Sequence, residues 1–240
     1  AESDPSLDID GVDAAHKLAI LSSIAFGTEL DFEGVHVEGI RSISAEDIAF
    51  ADELGFRIKL LGIAEKTPEG IRQRVHPAMV PISAPISAIE GVLNGVSIEG
   101  DFVGPVMLEG AGAGGGPTAS AVVADLVDVA CGRILPLLGV SSSYLTRPSI
   151  NPMEDHKGAY FIRMMVYDRP GVLADISATL RDHDISIEGV IQRKRSATEA
   201  VPVVVTVHET LERSMNAAMK KIAGIEAIQS PIQAIRIERS

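Results

Sequence analysis

The chain has 240 residues, enough for one large domain or two ordinary ones. It is 46% apolar but only 4% aromatic, so its core is built from Ala, Val, Ile and Leu, which suits helices packed on sheets. A formal charge of -12 excludes a nucleic-acid partner, because neutralising phosphates needs clustered Lys and Arg, and it argues equally against an anionic membrane surface.

No run approaches the ~18 apolar residues that cross a bilayer, and no charged-then-apolar leader opens the chain. The single cysteine, Cys131, cannot form an internal disulfide, which points to a reducing cytoplasm. It falls in an Ala/Val-rich stretch and reads as a buried structural thiol rather than a nucleophile. The chain begins AESDPS, turn-rich and without methionine, and is expected to be a fragment or a processed product.

In chain order, DIDGVDAAHKLAILSSIAFG predicts a helix capped by Asp10, with Asp13 as an imperfect capping-box partner and Gly27 as the stop. Val12, Ala15, Leu18, Leu21 and Ile24 or Ala25 recur at helical spacing as its core face. SISAEDIAFADELGF predicts a second helix between a Ser44 cap and Gly55. FRIKLLGIAEKTPEGIRQRVHPAMVP reads as two strands joined by the turn KTPEG. SAPISAIEGVLNG is expected to be a short helix. VSIEGDFVGPVMLEG gives two strands around Gly100-Asp101, and Thr118 to Cys131 a further helix.

The stretch GVSSSYLTRPSINPMEDHKG loses all periodicity and reads as a linker, placed at 141–157. From 158 to 240 the order is strand, helix, strand, strand, helix, strand, which is the ferredoxin-like βαββαβ arrangement. The expected fold class is α/β (α+β): a mixed sheet covered by helices over 1–140, followed by that smaller unit.

Three features carry possible chemistry. EGAGAGGGPTASAVVADLVD contains G-x-G-x-x-G at Gly110, Gly112 and Gly115 between a strand and a helix, where a dinucleotide loop would sit. No second parallel strand follows, so it does not make a nucleotide-binding unit of its own. Asp13 and Lys17 share a helix face four residues apart, and by themselves would be an exposed ion pair worth roughly a few tenths of a kcal/mol. The acids Glu2, Asp4, Asp8 and Asp10 just before them either favour the helix start or supply an anion for an ammonium group beside an inward-facing lysine. His16, His76, His156, His183 and His208 are dispersed and form no zinc-ligand spacing, so no metal is expected.

The run DPSLDIDGVDAAHK, Asp4 to Lys17, resembles the homoserine dehydrogenase signature D-P-x-x-D-aliphatic-x-G-x-D-x-x-x-K at every fixed position. RVHPAMVP, VSIEGDFVG and the glycine-rich stretch resemble the same family, so that the likeness covers about residues 1–140 as its catalytic and dimerisation domain. It implies reversible reduction of L-aspartate 4-semialdehyde to L-homoserine with NADP or NAD, in threonine, methionine and isoleucine biosynthesis. It further implies that Lys17 is the catalytic proton donor, Asp13 its companion, and Glu2 and Asp8 the substrate-binding carboxylates. Gly112 and Gly114 would approach the cofactor from the far side of a cleft whose nucleotide-binding lobe lies upstream. Without that lobe the chain alone is expected to be inactive.

The segment 158–240 resembles an ACT regulatory domain, on its strand order and the loop YDRPGVL, Tyr167 to Leu173. Without that context D-R-P-G would be simply a turn and helix start. The resemblance implies an amino-acid effector, threonine by analogy, held by Asp168, Gly171, Val172, Ile185 and Ser186, and a homodimer or higher homo-oligomer. The competing readings are a non-catalytic amino-acid sensor and a module whose role is assembly; the intact Asp13/Lys17 signature favours the enzyme.

Overall fold

The computed structural model describes residues 4–133, 135–193, 196 and 199–239. One helical turn, α1 (Ser6–Ile9), precedes α2 (Val12–Phe26). Asp10 is not the cap of α2, as its side-chain chemistry suggested: it closes α1, and Gly11 starts α2 from a left-handed conformation at φ 79°. That conformation suits glycine alone, and a Cβ there would also stand 3.1 Å from the Val75 side chain. The helix ends at Gly27, as its sequence predicts.

Strand β1 (Val35–Val37) and helix α3 (Ala45–Glu53) follow. Ser44 and Asp47 form a complete capping box, and the chain leaves α3 through Gly55. β2 (Phe56–Thr67) and β3 (Gly70–Pro81) make the expected hairpin. The short helix expected next is only a 3-10 turn, Pro85–Ala88, because the chain is already extended from Leu93 in β4 (Leu93–Gly100). β4 pairs with β5 (Gly104–Ala111), and α4 (Gly115–Ala130) begins within the glycines rather than at Thr118. Pro117 is tolerated there because N–H groups of a first turn have no helical partner.

The remaining elements are β6 (Lys157–Val166), α5 (Val172–Arg181), β7 (Ile187–Gln192), β8 (Val201–Leu211), α6 (Glu212–Ile222) and β9 (Ile228–Ile237). The sheet order β9-β6-β8-β7 is the ferredoxin-like one.

The two halves share one sheet. β3 pairs with β2 along its length, and its other edge pairs in parallel with β1 and then with β9, through Ala78↔Arg236 and Met79↔Ile237. The segment before β6 is bound down as well. Ile71 N–H donates to the Ser149 carbonyl at 2.8 Å, and Asn151 Nδ2 donates to Thr67 Oγ1 at 3.1 Å.

Burial follows from this joining. Tyr160, Ile162, Met164 and Val166 of β6 point to a core closed by α5 and α6, with Ile176, Leu180, Met215 and Ile222. Ala159 and Phe161 point the other way and pack with Phe50 and Ala51 of α3, Met79 and Ile235. A strand covered on both faces reads as a continuous apolar run, as AYFIRMMV does. A third core sits where Ala15, Leu18 and Ala19 of α2 meet Val35 and Val75.

Two expectations about burial need correction. The inner face of α2 is Ala15, Leu18, Ala19, Ser22 and Ser23, while Leu21 and Ile24 are exposed. The second half of the helix buries Ser22 and Ser23 and exposes Ile20, Leu21 and Ile24, so apolar spacing alone points to the wrong face. Cys131 is exposed, because α4 buries none of its residues against the described part of the chain. Among the described residues no helix is long and apolar enough to cross a membrane.

Candidate active site

The signature segment wraps one end of the β1–β3 sheet. Asp4 binds both the backbone N–H and the hydroxyl of Ser6, and these bonds hold its carboxyl below the usual range. Asp8 lies exposed on α1, whose carbonyl accepts the Gly11 N–H at 3.2 Å. The turn at Gly11 then starts α2, along which Asp13, Lys17, Ile20, Leu21 and Ile24 fall on one face by their spacing.

That face is turned away from the sheet. Lys17 Nζ donates to the Asp13 carboxylate, with the two side chains 66% and 45% exposed. The lysine is therefore not inward-facing within this chain; it is presented, oriented by Asp13, beside an open apolar strip formed by Ile20, Leu21 and Ile24. Its neighbour in sequence is His16, whose ring stacks on Phe32 with centroids 4.2 Å apart. Glu2 lies outside the described residues.

A second segment, Glu38 to Arg41, fixes the first from behind. Ile40 N–H donates to the Ile9 carbonyl at 2.9 Å. A Cβ on Gly39 would stand 2.6 Å from that carbonyl oxygen and 2.7 Å from the Asp10 Cα, so the two backbones touch. The Arg41 guanidinium forks onto Asp10, with Nη2 to Oδ2 at 3.0 Å, and also donates to Ser6 Oγ at 3.1 Å. The bond from Arg41 holds the Asp10 carboxyl below its ordinary range. Nothing local in the sequence marks Gly39 or Arg41, whose partners lie about thirty residues back, or Glu38, whose arginine partner lies 198 residues on.

The glycine stretch forms the turn from β5 into α4. Gly114 precedes the helix at φ 112° with no side chain capping it, and a Cβ on Gly110, Gly115 or Gly116 would meet nothing. Gly112 is closed in by Asn94, whose Nδ2 would be 2.1 Å from such a Cβ. The turn thus presents bare backbone at the start of a 16-residue helix.

In the second unit, Asp168 and Gly171 lie in the loop after β6, Gly171 at φ 98° opening α5, and the Asp168 N–H donates to the Ser196 carbonyl at 3.1 Å. Val172 and Ile185 belong to the apolar core. Ser186 lies just before β7, and its carbonyl accepts the His208 N–H. The strand registers put this end of β7 level with Tyr160, whereas the loop follows Val166. Within one chain, then, the structure brings Asp168, Gly171 and Val172 together and leaves Ser186 at the opposite end of the sheet.

This geometry can be set beside known proteins. The family model described as homoserine dehydrogenase matches residues 1–127, more than half of the chain, including the signature segment, the Glu38–Arg41 segment and the glycine turn. The chain belongs to the homoserine dehydrogenase family. An ACT domain model matches residues 160–227. Homoserine dehydrogenases of Neisseria gonorrhoeae and Pseudomonas aeruginosa are 39% and 40% identical to it over 244 and 246 residues. A crystal structure of a homoserine dehydrogenase from Thiobacillus denitrificans superposes with a TM-score of 0.91 at 46% identity, covering 100% of this chain and 56% of that one. The chain spans about half the length of the curated relatives it matches, 56% and 57%.

Proposed function

We propose that this chain is the substrate-binding, proton-donating and regulatory part of a homoserine dehydrogenase, which interconverts L-aspartate 4-semialdehyde and L-homoserine. The observation that carries the reading is the Asp13–Lys17 pair, presented on the outer face of α2 within an intact family signature. A reduced nicotinamide coenzyme, NADPH or NADH, would supply the hydride to the carbonyl carbon when bound and leave as NADP+ or NAD+. Lys17 places its Nζ proton on the carbonyl oxygen as negative charge develops there, and in the reverse direction takes the hydroxyl proton. Asp13 fixes the lysine rotamer and compensates its charge. Asp8 and Glu2 are assigned the substrate's ammonium group.

The residues present fit a partial coenzyme contact. The turn from Gly112, which Asn94 flanks, to Gly114 leads into open backbone at Gly115 and Gly116 at a helix start, the place assigned to a nucleotide group. The rest of the coenzyme site is assigned to the upstream lobe that the resemblance implies, so the 240-residue chain is expected to be inactive alone. The exposed apolar side chains of α2 and α4 support the same reading, since Ile20, Leu21, Val122, Val123 and Leu126 need cover from outside the described residues. A second copy, as expected for a dimer, is assigned the exposed β4–β5 hairpin.

The ACT unit is assigned an amino-acid effector at Asp168, Gly171 and Val172, with threonine as the ligand to try first. Such binding would raise the melting temperature of the full-length protein through linkage. The activity itself is tested in the full-length enzyme by Lys17→Ala. A loss of turnover of about a hundredfold to ten-thousandfold, with coenzyme affinity unchanged, is expected; turnover within a few-fold of the parent refutes the assignment.

A further inference from the structure

Arg236, on the last strand β9, reaches across 198 residues of sequence to Glu38. Its guanidinium holds two carboxylates in two forks. Nη1 and Nη2 donate to Glu38 at 2.9 and 2.8 Å, while Nε and Nη2 donate to Glu212 at 2.9 and 2.6 Å. Tyr160 also donates to Glu212, and His36 Nε2 lies 2.7 Å from Glu38. Arg236 and Glu212 are buried. A planar cation gripped at both edges fixes direction as well as distance, which an ammonium cannot do.

Burial opposes the charge on Glu38, but the bonds from His36 and Arg236 outweigh it and hold the carboxyl well below the usual range. The same balance, burial against bonds from Arg236, depresses Glu212. The clamp is therefore ionised across the neutral range.

Other ionic contacts among the described residues also join the halves. Arg163 binds Asp47 of the α3 capping box, Arg74 binds Glu65 and Glu238, and Arg193 pairs with Glu53 at the end of α3. None of these carboxylates belongs to the segment packed on Ile9 and Asp10. The Arg236 clamp reaches that segment, because Glu38 leads directly into Gly39, Ile40 and Arg41, the residues packed against Ile9 and Asp10.

We infer that Arg236 is a positioning residue for the reaction: through Glu38 the final strand of the ACT unit holds the Gly39–Arg41 segment, against which the Asp8–Lys17 segment is set. The inference rests on the reading of that segment as the one that binds substrate and donates the proton. A shift of β9 along β3 moves Glu38 and hence the site, so the contact is also a route by which the ACT unit reaches the chemistry.

The test uses the full-length enzyme with L-homoserine and NADP+ as the probes, assayed well below the melting point of each variant. Glu38→Gln and Arg236→Met are each expected to raise the homoserine KM about tenfold while leaving the KM for NADP+ unchanged. The double variant is expected to be no worse than the poorer single one, and Arg236→Lys to recover part of the loss. Should Arg236→Met fail to fold, Glu38→Gln decides, since its side chain is partly exposed and its shape is kept. An unchanged homoserine KM in Glu38→Gln overturns the inference, as does a rise in both KM values together. Lys17→Ala measured alongside separates the two readings: if it abolishes turnover while Glu38→Gln is silent, only the positioning role falls, and if it is itself silent the site assignment falls.

Discussion

Gly39 shows how little room the site segment has. Its Cα faces the Ile9 carbonyl and the Asp10 backbone, neither of which can rotate away as a flexible side chain would. Gly39→Ala is therefore expected to push α1 and the turn at Gly11 outward, raising the homoserine KM several-fold in the full-length enzyme. Steady-state kinetics with coenzyme held saturating would show it, and unchanged kinetics would mean the segment tolerates the displacement. Two buried histidines make a separate prediction about acid. His76 is held down to about 3 by burial and by Arg236, and His156 to about 4 by burial and by Arg74. Between pH 6.5 and 5 the unfolded chain takes up protons that these folded histidines refuse, so stability falls as pH falls, by roughly 1.4 kcal/mol per pH unit for each. Above pH 6.5 they contribute no slope. His156→Gln should flatten the decline by about one proton in urea titrations across that window, and an unaltered slope would contradict the neutral burial. At this scale the sequence disclosed Asp13 and Lys17, whose partnership is local, but not Arg41 or Glu38. Asp10 looked like a helix cap because caps are read from neighbours, whereas its carboxylate belongs to Arg41.

Helix α3 is the element that ties the halves together. Its Ser44 cap was legible from SISAED; the structure completes the cap into a box, in which Ser44 and Asp47 satisfy each other within one turn. What that pattern could not disclose is that Asp47 is fully buried and also receives Arg163 of β6, at 2.6 Å. Burial opposes its charge, but the bond from Arg163 and those from Ser44 keep it well below the usual carboxylate range. Asp47→Ala removes the carboxylate half of the capping box and strands a guanidinium that is nearly buried, so a loss of about 3–5 kcal/mol is expected. Chemical denaturation followed by far-UV circular dichroism measures it; a loss under about 1 kcal/mol would mean that water replaces the carboxylate. The register of α2 was misread for a different reason. Its larger apolar side chains, Ile20, Leu21 and Ile24, lie on the side away from the sheet, and the small residues Ala15, Ala19, Ser22 and Ser23 let the other side pack close. The outer face then stays free to present Lys17.

Across the whole molecule, the ferredoxin-like order of the second unit was readable because each strand and helix carries its own period. The joining of β9 to β3 was not, since parallel pairing between distant strands leaves no local mark. That joining makes the two halves one body, with Phe161, Val204 and Ile235 covered by α3 rather than by solvent. The 240-residue chain is accordingly expected to unfold in a single transition, with circular dichroism and amide exchange reporting the same midpoint. Two separated midpoints would show that the units are independent. Expressed alone, residues 158–240 would expose the face that α3 covers and are expected to aggregate. The exposure of Cys131 and of all α4 belongs to this scale too. An Ala/Val-rich helix looks buried in sequence, but nothing among the described residues covers it.

The central claim is that Lys17 supplies the proton. Its most direct test is chemical replacement in the full-length enzyme carrying Cys131→Ser, so that this exposed thiol is silent. Lys17→Cys should lose at least about a hundredfold in turnover, and alkylation with 2-bromoethylamine, which rebuilds an ammonium side chain of nearly lysine length, should restore much of it. The parent treated alike is the reference. Restored turnover is the result the account predicts; a Lys17→Cys variant that stays fully active, or one that aminoethylation leaves inert although the new side chain is in place, would contradict it.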